Sequence, residues 1–134
     1  MQKNEESVKE KQGYFDHERW DVYQAALDLV ILINVIIDKL PRGTAHLADQ
    51  LQRAGTSVPL NIAEGSGEDA VNEKARFYRM ARRSATECAS IFDICKKLSL
   101  IEEEKYTAAR ELLLRIVAML TKMGRKATGY INAN

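Results

Sequence analysis

The 134-residue sequence has few residues that interrupt helices, with two prolines and seven glycines. Aromatic residues make up 7% of the chain, and there are only two cysteines and two histidines. The hydrophobic content of 46% and charged content of 29% are typical of a soluble globular chain rich in helix formers. The length fits one domain with a core of its own.

Other scarce features argue against a secreted or membrane protein. Cys88 and Cys95 lie seven residues apart on one predicted helix, about 10.5 Å along its axis, which is too far for a disulfide. The N-terminus is polar and lacks the apolar segment that a secretory signal peptide requires. The longest apolar run, Leu29 to Ile37, is interrupted by Asn34 and is too short to span a bilayer. We expect buried thiols, no membrane and a cytoplasmic location.

Residue types that carry catalysis or bind metals do not occur at the required spacing. A di-metal bundle needs Glu-x-x-His pairs, and neither His17 nor His46 has Glu three positions before it. Two cysteines and two distant histidines do not have zinc-ligand spacing. We expect no catalytic residue, no metal and no cofactor.

Apolar periodicity predicts four helices with short connections, and so an all-α, antiparallel up-down four-helix bundle. The clearest seam is on the fourth helix, at Tyr106, Ala109, Leu113, Ile116, Leu120 and Met123. The third-helix seam is Phe77, Ala81, Ser84, Cys88, Phe92 and Cys95. Residues 1–13 are predicted to be a disordered tail, 14–126 the bundle and 127–134 a flexible tail.

Capping residues predict where these helices begin. Asp16 caps a first helix that runs to Lys39, Thr44 caps the second helix and Asn72 the third. Ser99 either opens a capping box for the fourth helix or belongs to the end of the third.

The second half of the first helix, Leu29 to Ile37, is apolar nearly all round. A bundle helix with one buried stripe does not need this. Because a four-helix bundle has no central helix, the outer face is expected to meet another subunit. The sequence therefore predicts a homo-oligomer.

The stretch from Gln50 to Gly65 has an apolar face and an ordered polar stripe. We read one helix bent at Pro59, with Gly65 at its left-handed C-terminal position. The stripe is either a structural hydrogen-bond network, in which Arg53 pairs with Glu64 or a neighbour, or a polar pocket. Its members are Gln50, Arg53, Ser57, Asn61 and Glu64.

This stretch, Gln-x-x-Arg-Ala-x-x-Ser-Val-Pro-x-Asn-Ile-Ala-Glu-Gly, resembles the signature of the bacterial four-helix-bundle proteins encoded in 23S rRNA intervening sequences. A related branch is the accessory variability determinant of diversity-generating retroelements. Residues 22–26 and 76–87 resemble the family's first-helix and third-helix motifs. The resemblance implies an up-down bundle, a homopentamer and a suspected role in binding nucleic acid, with no established catalytic activity.

Basic residues are concentrated in the second half of the chain. Residues 1–70 hold seven Lys/Arg and twelve Asp/Glu, whereas residues 71–134 hold thirteen and seven. Many of the basic residues group on helix faces away from the apolar seams, as phosphate-binding residues do. The predicted nucleic-acid-binding residues are Arg76, Arg79, Arg82, Arg83, Lys97, Arg115, Lys122 and Lys126.

Three functions remain open from the sequence. The first is an oligomeric, non-enzymatic accessory protein that binds structured RNA or an RNA–DNA hybrid through its basic helix faces. The second is a protein–protein scaffold for a partner such as a reverse transcriptase, a ribonuclease or a ribosome-associated protein. The third is a small-molecule or catalytic site at Arg53, Asn61 and Glu64.

Overall fold

A computed structural model describes residues 13–129, which form four long α-helices and no β-strand. The helices are α1 (Asp21–Asp38), α2 (Ala45–Ser66), α3 (Val71–Lys97) and α4 (Glu103–Ala127). A short 3-10 turn, Asp16–Arg19, precedes α1. The all-α prediction is confirmed. The tails predicted at residues 1–13 and 127–134 lie outside the described range except for Gly13 and residues 127–129.

Each helix packs against two others, which closes the bundle. α1 contacts α2 and α4, and α3 contacts the same two helices, so α1 and α3 lie diagonally opposite. Connections this short make sequential neighbours antiparallel. The predicted up-down four-helix bundle is confirmed.

The core consists of apolar side chains at helical spacing on all four helices. The predicted α4 seam is correct, since Ala109, Leu113, Ile116 and Leu120 are buried. The α3 seam is broader than predicted. Tyr78, Ala85 and Ile91 are buried on α3, whereas Phe77 and Ser84 are only half-buried.

The helix α2 continues through Pro59, as predicted. The Thr56 hydroxyl donates to the carbonyls of Gln52 at 3.0 Å and Arg53 at 3.2 Å, in the turn before the proline. Gly55 is buried against α1, where an added Cβ would overlap Cδ1 of Ile33. The glycine therefore allows close contact between α1 and α2.

Two predicted N-caps are wrong because the chain enters the helices through extended residues that precede them. Asp16 begins the separate 3-10 turn, and α1 begins after Trp20, whose φ and ψ are −77° and 134°. Asn72 lies inside α3, whose N-cap is Ala70. The Ala70 amide donates to the Glu68 carboxylate at 3.2 Å. Thr44 does occupy the α2 N-cap, but its hydroxyl donates to the Pro41 carbonyl at 2.6 Å.

The ends of α2 and α3 resolve two further predictions. Gly65 is not the left-handed terminus, because α2 runs to Ser66 and its C-cap is Gly67 with a φ of −86°. Ser99 follows the C-cap of α3 and belongs to the end of that helix, which is the second of the two alternatives predicted from the sequence. Its φ is 58° and the Leu100 amide donates to the Cys95 carbonyl at 2.8 Å, which is a Schellman turn.

Among residues 13–129, none of the helices combines the length and the apolar content needed to cross a bilayer.

Candidate nucleic-acid interface

The charge asymmetry of the sequence becomes a difference between two sides of the bundle. All thirteen Lys/Arg of the second half lie on α3 and α4, which are neighbours in space. The helices α1 and α2 together carry five carboxylates and a single arginine, Arg53. The side formed by α3 and α4 is therefore where an anionic partner is attracted most strongly.

The outward face of α3 carries Arg76, Arg79 and Arg83, all exposed. Arg76 is partly neutralised, because its guanidinium contacts the Glu73 carboxylate at 3.1 Å. The salt bridges found within residues 13–129 involve Arg76 with Glu73 and Lys96 with Glu103. In that part of the chain, Arg79 and Arg83 thus have no carboxylate partner within 4.0 Å.

A groove of about 250 Å³ lies between the N-terminal half of α3 and the C-terminal end of α4. Three arginines line it: Arg79, Arg82 and Arg125. Arg82 is half-buried, and its guanidinium donates to the Thr121 hydroxyl at 3.2 Å, which fixes the side chain across the two helices. The groove lining contains no carboxylate among the described residues. We call this feature the arginine groove.

The remaining predicted basic residues do not form one surface with the arginine groove. Lys97 is exposed at the last turn of α3, fourteen residues beyond Arg83 and so about 21 Å along the helix. Arg115, Lys122 and Lys126 are exposed along α4. Their spacing of seven and four places them on its outward side, away from the seam.

The polar stripe of α2 is divided. Ser57 and Asn61 are half-buried and bonded, whereas Gln50, Arg53 and Glu64 are exposed. The Asn61 amide donates to the Ser57 carbonyl and hydroxyl, both at 2.9 Å. The expected pairing of Arg53 with Glu64 is not present among the described residues.

The bonded half of the stripe reaches α3. The Ser84 hydroxyl donates to the Ser57 hydroxyl at 2.8 Å, which joins the two helices. A cleft of about 360 Å³ lies over this contact, lined by Ser57, Asn61, Met80, Arg83, Ser84 and Glu87. Arg83 therefore borders both this cleft and the basic face of α3.

The two cysteines are free and buried in the core. Burial, with a smaller contribution from the Glu87 carboxylate, raises the pKa of Cys88 to about 12. Burial also raises the pKa of Cys95. Thiols in this state are protonated near neutral pH and are poor nucleophiles and poor metal ligands.

Sequence patterns missed Thr121, Gly124 and Arg125 in the arginine groove and Ser84 at the polar contact. Arg125 faces the flank of α4 that packs on α3, so a search for residues opposite the seam does not find it. Ser84 follows the spacing of the apolar seam and was grouped with it. Its hydroxyl was the available signal, since buried hydroxyls need partners.

Comparison with known families matches residues 18–122 to the model of the 23S rRNA-intervening sequence protein. This chain belongs to that family. The match includes all of α1, α2 and α3. The polar stripe and the α3 arginines therefore lie within the part of the chain that matches the family model. It ends at Lys122, before Gly124 and Arg125.

A solved structure with the same fold is the 1.70 Å crystal structure of a protein with unknown function from the S23 ribosomal protein family of Bacteroides thetaiotaomicron VPI-5482. It is 19% identical to this chain, with a TM-score of 0.72. The alignment covers 78% of this chain and 98% of the other. A comparison with curated proteins found no match.

Proposed function

We propose that this protein is a non-enzymatic accessory factor that binds structured RNA or an RNA–DNA hybrid. The observation that carries this proposal is the concentration of arginines without carboxylate partners on the side formed by α3 and α4. Arg79 and Arg83 are exposed there, and Arg82 is held at its edge. One guanidinium group can donate two parallel hydrogen bonds to a phosphate group, so such a surface fits a nucleic-acid backbone.

We further propose that the protein acts as a homo-oligomer, and the family resemblance favours a pentamer. Two exposed apolar side chains on α1 support assembly, Ile31 at 63% and Val35 at 39% exposure. They lie within the segment that is apolar nearly all round. Repetition of one basic side around a ring adds the fields of all subunits.

Two cysteines that are free and buried fit a reducing compartment, so we assign the protein to the cytoplasm.

A protein–protein scaffold is the second candidate function. An apolar groove of about 250 Å³ between α3 and α4 supports it, with Phe92, Leu113 and Val117 in its lining. A reverse transcriptase or a ribosome-associated protein would then be the partner.

Charge reversal tests the proposed function. Arg79→Glu with Arg83→Glu should weaken binding to RNA strongly and to a similar degree for unrelated sequences, because backbone contacts carry no base information. The matched control is Lys39→Glu with Arg42→Glu, the same charge change at exposed positions between α1 and α2. Circular dichroism and light scattering should show that fold and assembly are unchanged in both variants.

A salt titration separates the two candidate functions. Phosphate contacts predict that log K falls linearly with log salt, by roughly 0.7 to 0.9 for each contact. If the wild-type protein shows no affinity for RNA or DNA below about 100 μM at near-physiological salt, where non-specific binders still register, nucleic-acid binding is wrong. The scaffold function then takes its place.

A further inference from the structure

The last turns of α4 contain a glycine that the packing of the described chain does not require. Gly124 lies inside the helix, and a Cβ at this position would meet no heavy atom within 4 Å in residues 13–129. Gly55 and Gly65, by contrast, are each in contact with a side chain of a neighbouring helix. Glycine inside a helix is unfavourable relative to alanine. Gly124 therefore keeps space open on its own side of the helix.

The space beside Gly124 is the arginine groove. Arg79 and Arg82 approach it from α3, and Arg125 approaches from α4. The hydroxyls of Thr121 and Thr128 complete the polar lining. Thr121 is already oriented, since its hydroxyl donates to the Val117 carbonyl at 2.8 Å and accepts from Arg82. Both hydroxyls donate their protons to main-chain carbonyls, so the donors available to a ligand are the three guanidiniums. Three positive charges around an open space form the chemistry of a site for a compact anion.

We propose that the arginine groove binds a phosphate monoester, the terminal phosphate of a nucleic-acid strand. A terminal phosphate carries more negative charge than an internal phosphodiester and has three oxygens available to donors. The three guanidiniums can satisfy these oxygens by charge-assisted hydrogen bonds. This inference rests on the proposed nucleic-acid binding and adds to it a preference for strand ends.

The experiment compares two RNA oligonucleotides of one sequence, with a 5′-phosphate or a 5′-hydroxyl, by fluorescence anisotropy. The wild-type protein should bind the phosphorylated strand roughly tenfold more tightly or better, since hydrogen bonds to charged groups are the strong ones. Affinity for the 5′-hydroxyl strand measures the proposed function itself. A protein that binds both strands equally retains that function and has no terminal-phosphate site.

Two variants locate the site. Gly124→Ala should raise the melting temperature, because alanine is the better helix former, and should lower the preference because its methyl group enters the groove. Arg125→Met should remove most of the preference. Arg110→Met is the matched control, with the same substitution at an exposed position of α4 outside the groove lining, and should leave the preference unchanged.

A second measurement keeps the groove testable without RNA. Inorganic phosphate, compared with sodium chloride at equal ionic strength, should raise the melting temperature of the wild-type protein and not that of Arg125→Met. This difference, with no preference between strands, would assign the site to free phosphate and overturn the strand-end proposal. If Gly124→Ala changes the mass of the assembly and not the preference, the glycine serves a subunit contact and the proposal is wrong.

Discussion

Gly65 of α2 is buried where the side chains of α3 leave no room for a methyl group. A Cβ on this residue would lie 2.5 Å from Cε1 of Tyr78 and 3.2 Å from Cβ of Phe77. The Tyr78 ring is rigid and only 3% exposed, so it cannot move aside without disturbing the core. Gly65→Ala is expected to lower the free energy of unfolding by about 1–3 kcal/mol, as overpacking does.

Gly67→Ala is the matched control, because a Cβ there would have ordinary contacts at 3.9 Å and its φ is negative. Chemical denaturation of both variants measures the difference. Equal free energies of unfolding in the two variants would show that the Tyr78 side chain accommodates the added methyl group without loss of stability. The sequence predicts a left-handed helix terminus at Gly65. The pattern indicates that glycine is needed there, but it does not show whether a positive φ or close packing is the reason.

The raised thiol pKa of Cys88 gives stability a dependence on alkaline pH. A thiol with an ordinary pKa of 9.0 when unfolded and about 12 when folded is protonated in both states below pH 9. As pH rises from 9 to 12 the unfolded thiol loses its proton first, so the free energy of unfolding falls. Denaturant midpoints from pH 7 to pH 11 should show this decline.

Cys88→Ala should make that decline shallower without abolishing it, because Cys95 and Tyr78 also have pKa values raised by burial. The comparison is between pH slopes, so any loss of packing in the variant does not affect it. Identical slopes in the two proteins would mean that the Cys88 thiol is not desolvated as the structure places it.

The contact between α2 and α3 is where a prediction from sequence was half correct. The polar stripe predicted a network that included Arg53 and Glu64. The structure retains only Ser57 and Asn61. The Asn61 amide donates to the Ser57 hydroxyl, and this hydroxyl also accepts a hydrogen bond from Ser84 of α3. Helical periodicity predicts which residues share a face. It does not predict how far that face turns towards its neighbour, because this depends on the packing of the whole bundle.

A double-mutant cycle measures this contact. Ser57→Ala, Ser84→Ala and the double variant should give a coupling energy of about 0.5–1.5 kcal/mol, the net contribution of one hydrogen bond. Asn61→Ala should destabilise the protein by a similar amount, and Glu64→Ala, at an exposed position, should have little effect. Strictly additive losses for Ser57 and Ser84 would exclude the hydrogen bond between their hydroxyls.

Helix termini show the same dependence on tertiary structure. The class, number and order of helices followed from periodicity, but the predicted N-caps at Asp16 and Asn72 were wrong. Local signals compete there with extended residues and turns that bring the next helix back onto the core. Ser99 has a φ of 58° in a Schellman turn that many helices complete with glycine, so composition gave no clear signal.

At the scale of the whole molecule, the acidic and basic halves of the sequence become opposite sides of one bundle because α1 lies against α2 and α3 against α4. The exposed apolar residues Ile31 and Val35 lie on the acidic side. Assembly through that side would leave the basic sides available for nucleic acid. Oligomerisation is therefore expected to strengthen binding because it brings several basic sides together. The residues that form the subunit contact and those that bind nucleic acid are expected to be different.

Ile31→Asp tests this coupling. It places a carboxylate in the middle of the exposed apolar face of α1, so the variant should scatter light as a 15.1 kDa monomer, whereas the wild-type protein has a multiple of that mass. Leu60→Asp is the control, because Leu60 is equally exposed at 63% but lies on α2 among Arg53, Thr56 and Glu64. Circular dichroism should show the same helical content in all three proteins.

The monomeric variant should also bind RNA with a shallower dependence on salt, because one basic side contacts fewer phosphates than a ring of them and each contact contributes roughly 0.7 to 0.9 to the slope. The Leu60→Asp control should keep the wild-type slope. A wild-type mass near 15.1 kDa across micromolar concentrations would exclude assembly through α1. An unchanged slope in a monomeric Ile31→Asp variant would instead show that a single bundle carries the complete binding surface, and the arginines of α3 and α4 would then act within one subunit.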